Sequence, residues 1–401
     1  FTAVSGVGYF VNTTAGAISV NLPAGTAGDV VAIKDYINTF DTNAVTLVQN
    51  GSDKINGSIT NATLSTEGLA VTLVYVDATQ GWLVTDDGLQ SVANINPYMV
   101  ATGGTETTSG NCKIHTFTGP GTFEVTKAAN AAADNVVSYM VVAGGAGGGW
   151  DRAGAGGAGG FREVKSPVTP YTASPLDGYA TPSNRITVTA TSFPIAVGGG
   201  GGGGNDAIGK GVNGSVSTFS TITSTGGGGG GAAPCSQGPG KSGGSGGGSS
   251  GPGCGGAGNT PPVSPAQGFA GGNTPGVTHG GGGGGATAAG NPGDGPLNPG
   301  TTASNGGAGA TTSISASPTA YAGGGGGGFS NGGPGCSPFP GGAGGTGGGG
   351  AGGTYPSGEG TAGTINTGGG GGGGSNGTTT SPSSDGGSGG SGIVIIRYKF
   401  Q

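Results

Sequence analysis

The chain has 401 residues, of which 106 are Gly and 24 are Pro, only 7% are charged, and the formal net charge is −6. A strict Gly-X-Y repeat is absent, which excludes collagen, and no apolar run approaches the ~20 residues of a membrane-spanning helix. The acidic balance offers no basic patch for phosphate backbones, so nucleic acid is not an expected partner.

Phe1 at the first position reads as a processed or partial product. The four cysteines, Cys112, Cys235, Cys254 and Cys336, contain no CxxC pair, so a zinc site is unsupported. Incidental thiols are expected, with a Cys235–Cys254 bridge as the competing reading.

Residues 1–88 read as a compact β module. Alternating or β-branched runs occur at 9–11, 18–22, 30–33, 45–48, 71–76 and 82–84. Ile18-Ser-Val-Asn-Leu22 has a period of two, so one of its faces is buried and the other wet. Turn signals at Pro23-Ala-Gly25, Asn50-Gly51 and Asn56-Gly57 separate the runs. A sandwich, a barrel or part of a β-helical shaft all fit this spacing. Residues 89–111 are polar, contain Pro97, and read as a linker.

A second β pattern starts at Cys112. Residues 113–118 and 122–126 alternate around Gly119-Pro-Gly121, the Ala-rich 127–134 is one helical turn or a loop, and 136–142 is a strong strand that runs into Gly144. Further strands are expected at 185–190 and 195–197. Glycine then dominates: residues 1–197 hold 26, residues 198–391 hold 79. The long runs are discrete, at 198–204, 226–231, 280–285, 323–328, 347–350 and 368–374.

Such a composition normally means disorder. Ordering one residue costs about 1–2 kcal/mol and a net hydrogen bond returns only about 0.5–1.5 kcal/mol, so a lone glycine run stays unfolded. Two features favour order. The chain ends in Gly392-Ile-Val-Ile-Ile-Arg-Tyr-Lys-Phe400, a strand that needs a partner if it is not to aggregate. Residues 136–142 are the best partner, and that pairing would tie both ends of the glycine region to one sheet. The runs are also of similar length, mostly six or seven. Glycine can adopt an extended three-residue-per-turn helix rising ~3.1 Å per residue, without internal hydrogen bonds. Neighbouring helices of this kind can approach closely and bond to one another. Six residues would span ~19 Å.

Met140-Val-Val-Ala-Gly-Gly-Ala-Gly-Gly-Gly149, Gly156-Gly-Ala-Gly-Gly-Phe-Arg-Glu163, the long glycine runs and the terminal Gly-Ile-Val-Ile-Ile-Arg-Tyr together resemble the glycine-rich domain of bacteriophage tail-fibre proteins of marine and cyanobacterial phages. The resemblance covers about residues 112–401. Residues 1–88, with Gly8-Tyr-Phe-Val-Asn-Thr-Thr14 and Gly81-Trp-Leu-Val84, look like a β module found beside it in cyanophage structural proteins. The layout is also similar to adhesins at the tips of T-even-type long tail fibres, in which packed polyglycine helices hold host-binding loops.

The resemblance implies an all-β fold: an N-terminal β module (1–88), a linker (89–111), and a glycine-rich domain (112–401) in which strands at 112–197 and 392–400 flank a bundle of polyglycine II helices at 198–391. It implies a virion tail-fibre component, extracellular and homotrimeric, with other tail-fibre or baseplate proteins and a host-surface glycan or outer-membrane protein as partners. Loops near 232–279, 286–322, 329–346 and 351–367 would be displayed for attachment. A purely structural fibre segment and a secreted Gly-rich surface protein are the alternatives.

No catalytic or cofactor-binding constellation emerges. GxGxxG matches arise from composition and lack a strand–helix context. Cys235-Ser-Gln-Gly-Pro-Gly-Lys241-Ser242 has Cys where a P-loop needs its first Gly. Asp294, Glu359 and Asp385 are scattered singly, so a glycosidase pair is not expected, and the chain reads as a non-enzyme. His115 sits in an alternating strand and reads as structural. The candidates for receptor contact are Phe269, Phe329, Phe339 and Tyr355, with His279 beside them, because rigid aromatics supply contact area at low entropy cost. For each of them the competing reading is packing over the end of a glycine bundle.

Overall fold

The computed structural model describes residues 1–88, 98–233, 238–275, 279–293, 304–329, 340–377 and 384–401. It divides into two compact units, Phe1–Asn96 and Pro97–Gln401, and the fold is all-β.

In the first unit, β1 (Val7–Val11), β2 (Ile18–Asn21), β3 (Val30–Asp35) and β4 (Val45–Val48) alternate between two sheets. β1 therefore pairs parallel with β3, and β2 with β4. β5 (Ala62–Leu64), β6 (Ala70–Tyr75) and β7 (Trp82–Asp86) then close the sheets antiparallel, in the orders β1-β3-β6-β7 and β2-β4-β5. The arrangement combines the winding of a shaft with the closure of a sandwich. Period-2 strands send Val31, Ile33, Val71 and Leu73 inward, where they meet Val20, Leu47 and Trp82.

Asp35 ends β3 fully buried, and its carboxylate accepts the N–H groups of Thr39, Phe40 and Gly68 at 3.0–3.1 Å. Burial pushes its pKa up, but these donors outweigh burial and hold it below the usual carboxylate value.

In the second unit, β8 (Val100–Thr102) and β9 (Thr105–Ser109) lie inside 89–111, so the expected linker carries two strands. Its Thr-rich sequence folds back through Gly110-Asn111 to pair with β10 (Cys112–Phe117). β11 (Gly121–Lys127) follows, and then a single 3-10 turn, Ala132–Asn135, occupies the Ala-rich stretch. β12 (Val136–Val142), β13 (Phe161–Val164), β14 (Ile186–Thr187), β15 (Ser192–Ala196), β16 (Ser217–Phe219), β17 (Ile222–Ser224), β18 (Ala310–Thr312), β19 (Thr319–Tyr321) and β20 (Ile393–Lys399) complete it. One sheet runs β13-β12-β20-β10-β9 and another β17-β16-β15-β11-β8.

The terminal strand β20 inserts antiparallel between β12 and β10. Both of its faces are buried. Val394, Ile396 and Tyr398 face the core between the two sheets, while Ile393 and Ile395 join Met140, Val142 and Phe161 on the side of β18, β19 and Ala286. That explains its uninterrupted apolar run Ile393–Ile396. His115 is fully buried against Phe123 and Tyr398, and its Nδ1 donates to Gly103 O at 2.7 Å. Burial lowers its pKa, which fits a neutral structural imidazole.

The bundle grows from this sheet. Residues 143–149 leave β12, and residues 153–160 return into β13. In the outgoing run successive amides point to three different neighbours. Gly144 and Gly147 donate to Ser215 and Val212, Gly145 and Gly148 to Gly390 and Gly387, and Ala146 and Gly149 to Gly157 and Gly154, all at 2.9–3.0 Å. Its carbonyls accept from three others: Gly201 and Gly204, Gly227 and Gly230, and Gly371 and Gly374. Each run thus bonds at every third residue to a given neighbour, and 143–149 has six neighbours. This is the three-fold geometry of polyglycine II helices. None of the glycines at 198–204, 226–231, 280–285 or 323–328 takes a left-handed φ.

Close approach excludes side chains position by position. A Cβ on Gly147 would lie 2.0 Å from Gly202 O, and one on Gly148 2.0 Å from Gly372 O. Peripheral runs need glycine only on their inner row. Gly211 and Gly214 press against residues 147 and 144 while Val212 and Asn213 stand between them, and Gly360 and Gly363 flank Thr361 and Ala362 in the same way. Short runs of this kind occupy much of the segments expected to be loops. Residues 240–248, 270–272 and 342–345 are bonded into the bundle, and β18–β19 lies at its base against the sheet.

Gly148→Ala should therefore destabilise the second unit by about 3 kcal/mol or more, since only backbone could yield. Gly199→Ala, whose Cβ meets nothing within 4 Å, should be neutral or slightly stabilising. Thermal unfolding of the two variants checks the contrast. In the first unit, Asp35→Asn should cost about 1–3 kcal/mol near neutral pH. Because the folded pKa is depressed, the carboxylate's contribution is present above its ordinary pKa and fades as the pH falls through the lowered one. Melting of the 1–88 unit across that range should show the wild type converging on the variant.

Candidate functional site

The bundle has a proximal end, where its runs join the sheet, and a distal end. At the proximal end Ala143 bonds to Gly160, Gly392 to Gly198, and Ala286 to Ala322. At the distal end Gly149 bonds to Gly154, Gly374 to Gly149, Gly328 to Ala153 and Gly280 to Gly328. The described residues that flank 234–237, 276–278, 294–303, 330–339 and 378–383 all end at the distal level.

The hairpin at the centre of the bundle is Gly and Ala throughout 143–160 except for Trp150, Asp151 and Arg152, which form its distal turn. Asp151 (φ 55°) and Arg152 (φ 52°) are both left-handed. For L-residues this costs roughly 1–2 kcal/mol each, and it is the one place among the described residues where two consecutive non-glycines adopt it. Asp151 is only 8% exposed, and its Oδ1 has no hydrogen-bond partner; its charged neighbour is Arg152 Nε at 3.5 Å. Arg152 O accepts from Ser250 Oγ at 2.8 Å, and Trp150 N–H donates to Gly209 O at 2.9 Å. The Trp150 and Arg152 side chains are half-exposed. This turn was legible as three bulky residues interrupting a Gly/Ala stretch, but it was not among the sequence candidates.

Of those candidates the fold brings two together. His279 and Phe329 form an antiparallel bridge, and their rings lie 4.2 Å apart. Both are buried at the distal end, as in the packing reading. Tyr355 is half-buried two residues beyond Gly353, whose carbonyl accepts from Phe329 N–H. Phe269 is exposed, but it belongs to the proximal half, where its N–H reaches Gly285 O. Phe339 lies outside the described residues, as do Cys235, Cys336 and Asp294, and with Cys235 the alternative Cys235–Cys254 pairing; Cys112 is buried and Cys254 exposed. Glu359 and Asp385 sit on neighbouring runs, Gly360 N–H bonding Asp385 O, with both side chains exposed. Lys241 lies along a bundle run, its Nζ donating to Gly211 O at 2.9 Å, away from any helix N-terminus. Among the described residues no group of three His, Cys, Asp or Glu is placed to hold a metal ion.

Phe329→Ala should remove the ring that closes over His279 and lower stability by about 3 kcal/mol. Thermal unfolding measures this, and an unchanged midpoint would mean that the pair does not hold the distal end together.

Against known proteins, a 77-residue segment is 36% identical to the baseplate wedge protein gp10 of Enterobacteria phage T4. The segment makes up 18% of this chain and 13% of that relative, so the similarity spans a small part of both. The family model described as a glycine-rich domain matches residues 115–399, from β10 to the end of β20. The match takes in the sheet, the bundle and the terminal strand together, and the chain belongs to this glycine-rich domain family.

Proposed function

We propose that the chain is a structural component of a bacteriophage tail or baseplate, and that it presents the distal end of its polyglycine bundle to the host cell surface. The observation that carries this reading is the asymmetry of the bundle. One end is built into a sheet through both flanking strands. The other carries half-exposed Trp150, Arg152 and Tyr355, with Asp151, His279 and Phe329 buried in it, on a frame that is mostly backbone. Rigid aromatic and polar groups on a fixed support lose little entropy on binding. The similarity to a phage baseplate wedge protein supports a virion setting with other tail or baseplate proteins as neighbours. Trimeric assembly and a non-enzymatic role are part of the proposal.

A structural segment without receptor contact is the second reading, favoured by the burial of His279 and Phe329. The full chain, fluorescently labelled, decides between them on a panel of bacterial strains that includes the host of the parent phage. Attachment to the host that competes with phage adsorption, and that is lost with distal but not proximal (Phe269→Ala) substitutions, is expected. A folded chain that attaches to no permissive strain would leave only the structural segment.

A further inference from the structure

We propose that the Trp150–Arg152 turn is a subsite for an acidic sugar, a pyranose ring carrying a carboxylate or phosphate. The inference rests on the attachment reading above and names its chemistry. The buried Asp151 carboxylate faces the Nε edge of Arg152 at 3.5 Å. Neither Nη of Arg152 has a partner among the described residues, so the ion pair at the Nε edge leaves the half-exposed guanidinium fork open. A guanidinium fork matches the two oxygens of a carboxylate or phosphate. Two residues away the half-exposed Trp150 ring has no ring or cation against it. An aromatic face attracts the positively polarised C–H groups of a sugar ring. Apolar face and anion fork on one tight turn are the two halves of an acidic pyranose.

The conformation points the same way. Elsewhere among the described residues positive φ falls to glycines such as Gly209 and Gly251 or to single non-glycines such as Ser220 and Ala316, never to two consecutive non-glycines. At the centre of its distal end it keeps Asp-Arg instead, although Asn-Gly would hold the same backbone with less strain. Residues kept in an unfavourable conformation where cheaper ones would serve point to a role outside folding.

The test uses the full chain labelled with 5-fluorotryptophan, which gives two fluorine resonances, Trp82 and Trp150, assigned with Trp82→Phe. The probes, at matched ionic strength, are trigalacturonate, a phosphorylated hexose, neutral maltotriose and inorganic phosphate. The Trp150 resonance should shift with one or both of the acidic sugars, and which one responds identifies the anionic group. It should not move with maltotriose or inorganic phosphate. Arg152→Lys, which keeps charge without the fork, should weaken binding at least tenfold. The double variant Asp151→Asn/Arg152→Gly should lose binding while unfolding at the same or a higher temperature. No shift with either acidic sugar, an equal shift with maltotriose or with phosphate alone, undiminished binding by the double variant, or its unfolding at a lower temperature would each overturn the subsite. Cell attachment that survives the double variant would overturn the subsite and leave the attachment reading standing. Sugar binding without cell attachment would do the reverse.

Discussion

Between neighbouring glycine runs the cohesive groups are backbone N–H and C=O, and around the central hairpin each bonded pair works in one direction: one run donates at every third residue, the other accepts. A run therefore needs several neighbours before its polar groups are satisfied. The outgoing arm of the central hairpin, with three neighbours to donate to and three to accept from, reaches that state; the 198–204 run at the surface does not. The same geometry forbids a Cβ wherever a neighbour's carbonyl sits about 2 Å from where it would be. Glycine is thus demanded by packing, row by row. Because one run gains little alone, the array is cooperative, and it needs a template that fixes the first runs.

The sheet is that template. β12 and β20 pair directly and then continue as bundle runs, so the domain closes on itself through its last strand. Both faces of these strands are covered, by the inter-sheet core on one side and the base of the bundle on the other. The charges that do enter this region are placed with partners. Glu163, with burial pushing its pKa up, accepts from Thr312 Oγ1 and Ser174 N–H. Arg397 donates to the carbonyls of Ile314 and Pro170. Both interactions tie the sheet to the 170–174 loop and to the β18–β19 hairpin at the base of the bundle.

Much of this was readable before the structure. The pairing of 136–142 with the terminal strand follows from two apolar runs that could not be left exposed, and bonded polyglycine helices follow from discrete runs of similar length. Which run lies beside which was not readable, because identical glycines carry no pairing code. The short peripheral runs were also hidden. Gly211-Val-Asn-Gly214 and Gly360-Thr-Ala-Gly363 look like loops until one sees that only every third residue faces inward. The sequence candidates are aromatics, and one His, in the segments between the long glycine runs. That set holds His279 and Phe329, which pack on each other, and passes over Trp150–Arg152, where the signal was an interruption of a Gly/Ala hairpin.

A support made of backbone leaves the chemistry of its distal end to a few side chains. The account depends first on the bonding pattern of the glycine amides, and amide hydrogen exchange read residue by residue tests it most directly. In 144–149 every amide should be protected. In 198–204, Gly201 and Gly204, which donate to Gly145 and Gly148, should be protected, while Gly199, Gly200, Gly202 and Gly203 exchange rapidly. Uniformly fast exchange through both runs, or protection without the three-residue period at the edge, would contradict it.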